Sequence, residues 1–122
     1  MTYQERAEKL AQMIGMGQMN EAIDEFYDDN VVIIEANGDT FETSAKQKER
    51  VKEWQEGLEA MHGGGVSSIT SNEEAAVTVI ESYVEVTFKG APGPYKFEEV
   101  AVQNWKDGKI VKERFYYNAP GM

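Results

Sequence analysis

The chain has 122 residues, 41% of them hydrophobic and 28% charged, a length and balance that suit one folded domain over residues 1–122 and not a disordered segment. Acidic residues number 22 against 12 lysines and arginines, a net charge of -10, which repels phosphate backbones and anionic membrane surfaces and argues against nucleic-acid binding. The lack of cysteine excludes disulfides, thiolate metal sites and a cysteine nucleophile; with a polar N-terminus from Met1 to Lys9, the expectation is a cytoplasmic protein without a signal or membrane segment.

Tyr3, Ala7, Leu10, Ala11 and Ile14 recur at helical spacing and predict a first helix that ends near Gly15 or Gly17. Asn20 is placed to cap a second, short helix, with Ala22, Ile23, Phe26 and Tyr27 on its buried face and Asp28-Asp29-Asn30 ending it. Val31 to Ala36 reads as a strand covered on both sides, closed by the turn chemistry of Asn37-Gly38-Asp39. Ser44-Ala45-Lys46-Gln47 matches a capping box at the start of the longest helix. Its apolar face, Val51, Trp54, Leu58 and Met61, runs to a stop at Gly63-Gly64-Gly65. The basic run Lys46, Lys48, Arg50 and Lys52 reads as a solvated face of that helix.

From Val66 the period changes to two, with candidate strands at Val66 to Ser71, Ala76 to Lys89, Tyr95 to Lys106 and Lys109 to Tyr117. Asp107-Gly108 is the preferred pair for a two-residue type I′ hairpin. Extended from that turn, the register sets Trp105 opposite Ile110, Asn104 opposite Val111, Val102 opposite Glu113 and Val100 opposite Phe115. Helices followed by a four-strand meander imply an α+β fold with helices on one side of an antiparallel sheet and a second copy of the chain covering the other.

Phe26-Tyr27-Asp28-Asp29-Asn30-Val31, Trp105-Lys106-Asp107-Gly108-Lys109-Ile110 and Glu113-Arg114-Phe115-Tyr116-Tyr117 resemble the SnoaL-like group of the nuclear-transport-factor-2-like superfamily, a distant relative of ketosteroid isomerase. The resemblance runs over nearly the whole chain and implies a cone-shaped α+β barrel, cystatin-like, with three helices packed on a curved antiparallel sheet. It also implies a pocket between the concave sheet face and the long helix, and often a homodimer through the convex face. In the ketosteroid isomerase branch a carboxylate base, a Tyr and a protonated Asp cooperate to stabilise an enolate; matched along this sequence, the three roles fall at Ile34, Leu10 and Val102. All three are apolar, so that mechanism does not carry over unless a bulge turns Glu35 inward.

The same matching places Val111, Glu113, Phe115 and Tyr117 on the concave side with Val100, Val102 and Asn104, and Trp105, Arg114 and Tyr116 on a dimer face. Glu113, flanked by apolar neighbours, is the first candidate for a desolvated general acid or base, with Glu35 the second. The alternative is a wet Glu113 paired with Lys112 or Arg114. Asn104 and Tyr117 are candidates to orient a ligand's oxygen. Trp54, Leu58, Met61, Val102 and Phe115 would line the pocket, with Met13 or Met16 at its mouth, for a small apolar or mixed-polarity ligand. His62, ahead of three glycines, reads as a helix C-terminal residue favoured by the dipole. Neighbouring acids such as Glu73-Glu74 and Glu98-Glu99 point to opposite strand faces, so no metal and no cofactor are expected. Two functions stay open: a cofactor-independent isomerase, cyclase or hydratase using acid–base chemistry, and a non-catalytic ligand-binding or dimeric adaptor module.

Overall fold

A computed structural model describes residues 1–118. Along them run α1 (Tyr3–Gly15), α2 (Met19–Phe26), β1 (Tyr27–Ile34), β2 (Thr40–Glu42), α3 (Ser44–Glu56), β3 (Leu58–Asn72), β4 (Val77–Phe88), β5 (Tyr95–Lys106) and β6 (Lys109–Tyr117). The six strands form one curved, unclosed sheet in the order β2-β1-β6-β5-β4-β3. All neighbours are antiparallel except β1 and β6, which are parallel. The expected α+β architecture, three helices on a curved sheet, is therefore the observed one. Among the described residues no helix is long and apolar enough to cross a membrane.

Two acids start α1. Thr2 Oγ1 accepts the Glu5 N–H at 3.0 Å while Glu5 accepts the Thr2 N–H at 2.8 Å, a reciprocal capping box. Glu73, arriving from the end of β3, accepts the Tyr3 and Gln4 N–H groups at 2.8 and 3.0 Å. The buried side of α1 and α2, including Ala7, Leu10, Ala22, Ile23 and Phe26, then packs with Val31, Ile33 and Ile110 into the main core. Trp105 belongs to this core. It is 4% exposed, with ring centroids 5.7 Å from Tyr3 and 6.0 Å from Phe26, and so is not on a dimer face.

Five local expectations are corrected. Helix α2 is preceded by Gln18, which makes no side-chain cap, and Tyr27 opens β1 instead of closing the helix. Helix α3 is capped by Thr43, whose Oγ1 accepts the Lys46 N–H, one residue before the predicted box. It stops at Gly57 and not at the glycine triplet, because Leu58 onward pairs with β4: Leu58 lies opposite Phe88 and Met61 opposite Val86. Gly64 suits a strand here, since a Cβ would sit 2.9 Å from the Tyr83 carbonyl oxygen. His62 is accordingly on a strand, its Nε2 2.7 Å from Thr87 Oγ1.

The hairpin register departs from expectation by one residue. Asp107 and Gly108 have φ of 52° and 79°, as a type I′ turn needs, and Trp105 faces Ile110. Val111 is then left over in a bulge, so that Asn104 faces Lys112, Gln103 faces Glu113, Val102 faces Arg114, Ala101 faces Phe115 and Glu99 faces Tyr117. A single extra residue exchanges the faces of everything beyond it on one strand relative to the other. The concave face thus carries Glu99, Ala101, Gln103 and Trp105 with Glu113, Phe115 and Tyr117. Val100, Val102 and Asn104 move to the convex face beside Arg114 and Tyr116, so Val102 and Asn104 do not line the concave side.

Candidate functional site

Strand alternation lays the concave side of β5 out as a ladder: Tyr95, Phe97, Glu99, Ala101, Gln103, Trp105. Its two ends differ. At the Trp105 end, α1 and α2 seal the face: Thr78 and Gln103 are fully buried and Glu113 is 2% exposed. At the Tyr95 end the aromatic side chains stay partly accessible, because α3 packs on α2, β1 and β2. Phe97 packs edge-on against Tyr95, Phe88 and Tyr117, with centroids 4.8, 5.8 and 5.9 Å away. A depression of about 480 Å³ opens beside this rim, lined by Phe88, Tyr95 and the Pro92-Gly93-Pro94 turn. The Lys89 N–H donates to the Gly57 carbonyl at 2.9 Å, tying the rim to the end of α3. A second depression of about 300 Å³, with Glu81, Tyr83, Lys96 and Glu98 among its lining residues and Glu99 at its margin, lies on the outer side of β4 and β5.

The sealed end holds a continuous polar chain. Trp105 Nε1 donates to Thr78 Oγ1 at 2.8 Å, the Thr78 hydroxyl donates to Gln103 Oε1 at 2.7 Å, and Gln103 Nε2 donates to Glu113 Oε2 at 2.7 Å. The Tyr27 hydroxyl donates to Glu113 Oε1. Every donor points toward Glu113, so the network is satisfied and its orientation is set. Burial nevertheless pushes the Glu113 carboxyl up to about 7, against the opposing bonds from Tyr27 and Gln103. Burial, then Glu113, hold the Tyr27 hydroxyl well above the usual phenol range.

Between the rim and this chain sits a second polar group. Glu35 shares the inward side of β1 with Val31 and Ile33, as alternation requires, and no bulge at Ile34 is involved. Its carboxylate pairs with Arg50, and the Tyr117 hydroxyl donates to it at 2.7 Å. Arg50 also donates to Gln47 Oε1 at 3.1 Å and lies over the Phe41 ring at 4.0 Å. Arg50 therefore leaves the solvated face expected for the basic run of α3. Burial, followed by the Glu35 bond, pushes Tyr117 up to about 12.

Glu99 stands between the two groups, opposite Tyr117 and next to Phe97 on the ladder. Burial, reinforced by the charges of Glu113 and Glu35, pushes its carboxyl up to about 7. Its charged form is opposed by desolvation and two like neighbours, the setting in which a carboxylic acid exchanges protons near neutrality.

Of the sequence candidates, Glu113, Glu35, Phe115 and Tyr117 come together on the concave face. Trp54 is half-buried on α3 and Leu58 opposes Phe88 near the rim. Met61 is on β3 and 60% exposed, and Met16 is 59% exposed. Leu10 is core. Glu99, Gln103, Tyr27 and Arg50 are site residues that the pattern did not single out. Glu99 and Gln103 do share a face with Trp105, and an unsatisfied run of that many apolar neighbours on one parity is the signal that would have turned them inward. Among the described residues no group of three or more His, Asp or Glu is arranged to hold a metal ion.

A family model described as a SnoaL-like domain matches residues 1–117. A protein from Mesorhizobium loti, provisionally named a SnoaL-like polyketide cyclase, is similar over 96% of this chain and 100% of its own, with 26% identity and a TM-score of 0.85. An LEH-like epoxide hydrolase from M. tuberculosis (14% identity, TM-score 0.72, 95% and 82% covered) and a provisionally named isomerase from Bacillus subtilis (17%, 0.75, 93% and 84%) share the fold. The chain has no match among curated proteins.

Proposed function

Because the chain belongs to the SnoaL-like family, we propose that the aromatic end of its concave face binds a small molecule and performs cofactor-independent acid–base chemistry on it. One observation carries this reading: Glu99 stands opposite Tyr117 and beside Phe97, at the boundary between a partly accessible aromatic rim and a sealed polar chain, where burial and the charges of Glu113 and Glu35 raise its carboxyl. Glu99 takes and returns the proton. Arg50, held by Glu35, polarises the substrate's oxygen with its free N–H groups, Tyr117 fixes Glu35 from the other side, and Glu35 is the alternate base. Glu113, with both oxygens occupied, acts as a positioning residue whose charge keeps Glu99 protonatable. Phe97, Phe115, Trp54 and Leu58 supply apolar contact.

Proton abstraction beside a carbonyl is the step shared by isomerisation and cyclisation, so deuterium exchange at the α-carbon of a panel of cyclic and aryl ketones, with and without an ammonium substituent, tests it without a known substrate. The expected result is enzyme-dependent exchange that Glu99→Gln lowers by about 100-fold. Exchange untouched by Glu99→Gln, or absent over the panel, overturns the assignment.

A second reading concerns assembly. The convex face carries Val79, Val102, Arg114 and the 49% exposed Tyr116, and Arg114 Nε is buried without a hydrogen-bond partner. An exposed Tyr and an Arg stacked on it beside apolar side chains are the composition that protein interfaces favour. The cover is a second copy of the chain, through Arg114 and Tyr116; an adaptor role would use the same face.

A further inference from the structure

We infer that the rim site prefers a positively charged ligand, an organic ammonium ion, over a neutral one. This deepens the small-molecule reading above and rests on it. Among the described residues three carboxylates, Glu35, Glu99 and Glu113, face the concave interior, and one cation, Arg50, meets them there; its ion pair is with Glu35. Glu99 is left among like charges. Immediately outward stand Phe97 and Tyr117, ring centroids 5.9 Å apart and nearly perpendicular, with Tyr95 packed on the far side of Phe97.

Aromatic faces attract a cation through their quadrupole, and the attraction grows as water is excluded. An ammonium head beside Phe97 and Tyr117 faces Glu99, one ladder step inward, and supplies the counter-charge missing there. The chain's net charge of -10 adds a long-range field of the same sense. A neutral ligand supplies no counter-charge and leaves Glu99 to its proton, and an anionic one meets like charge.

The test compares choline with 3,3-dimethylbutan-1-ol, which has the same shape with carbon in place of the charged nitrogen, by NMR titration of the intact protein. Choline is expected to perturb the Phe97, Glu99 and Tyr117 resonances and to bind at least about tenfold more tightly than its isostere. Glu99→Gln is expected to erase that preference. If this variant fails to fold, as its amide spectrum would reveal, Phe97→Leu replaces it, with choline affinity expected to fall about fivefold. Equal or tighter binding of the alcohol overturns the cation preference and leaves the pocket standing. Binding of neither compound overturns both.

Discussion

Glu113 is paired to a phenol and an amide and still titrates high, so the cost of desolvating it exceeds what two good hydrogen bonds return. Glu99 has the same direction of shift without those bonds. A carboxylate whose folded pKa is raised from its ordinary 4.5 to about 7 binds more protons folded than unfolded between those values. Stability is then fully present below about 4.5 and is lost as pH rises through about 7, by roughly 2 to 3 kcal/mol for each such group. Urea midpoints should therefore fall from about pH 5 to about pH 8, and Glu113→Gln should flatten the slope; a midpoint that climbs across this interval would mean that the two carboxylates ionise freely. Glu113, Phe115 and Tyr117 were legible as one face from their spacing alone. That Glu99 joins them was not, because the pairing of β5 with β6 depends on the Val111 bulge, and a bulge beyond a well-formed turn leaves no mark in hydrophobic alternation; only the parity that Glu99 shares with Phe97 and Trp105 on β5 was there to be read.

At the scale of elements, the meander is readable because strands β4 to β6 are rich in β-branched and aromatic residues and are punctuated by Gly-Ala-Pro-Gly-Pro and Asp-Gly. The boundary between α3 and β3 is not, since Trp54, Leu58 and Met61 fit a helical stripe while the chain has already turned at Gly57. What holds the start of α3 is unusual. Thr43 sits at φ 80°, ψ 145°, a region that a β-branched residue occupies only under constraint, and it keeps a cap to Lys46 and a bond from its own N–H to the Val31 carbonyl at 2.9 Å. Thr43→Gly gives up a few tenths of a kcal/mol of capping and releases about 1 to 2 kcal/mol of strain. The net expectation is a gain of about 1 kcal/mol, or roughly 4 °C in thermal midpoint, measured by calorimetry. A loss instead would show that the cap outweighs the strain.

For the whole molecule, the two sheet faces divide the work. The concave face builds a sealed end and an open end; the convex face leaves Arg114 and Tyr116 outward. If a second copy covers that side, sedimentation should report a dimer and Arg114→Glu should yield monomers with unchanged circular dichroism, because two introduced carboxylates would meet across the symmetry axis. A wild-type monomer would leave the convex face to some other partner. Trp105→Asp cannot serve the same purpose, since it would collapse the core around Tyr3 and Phe26.

The parallel pairing of β1 with β6 has a consequence for how the molecule comes into being. Ile33, within the first third of the chain, pairs with nearby Phe41 on one side but on the other with Glu113, so that second pairing closes a loop of about two-thirds of the sequence. As the polypeptide leaves the ribosome, β1 can pair with β2 and β3 with β4, but β1 joins the rest of the sheet only once β6 is out. The concave face is consequently completed late, when Glu113, Phe115 and Tyr117 from the end of synthesis join β1 from its beginning.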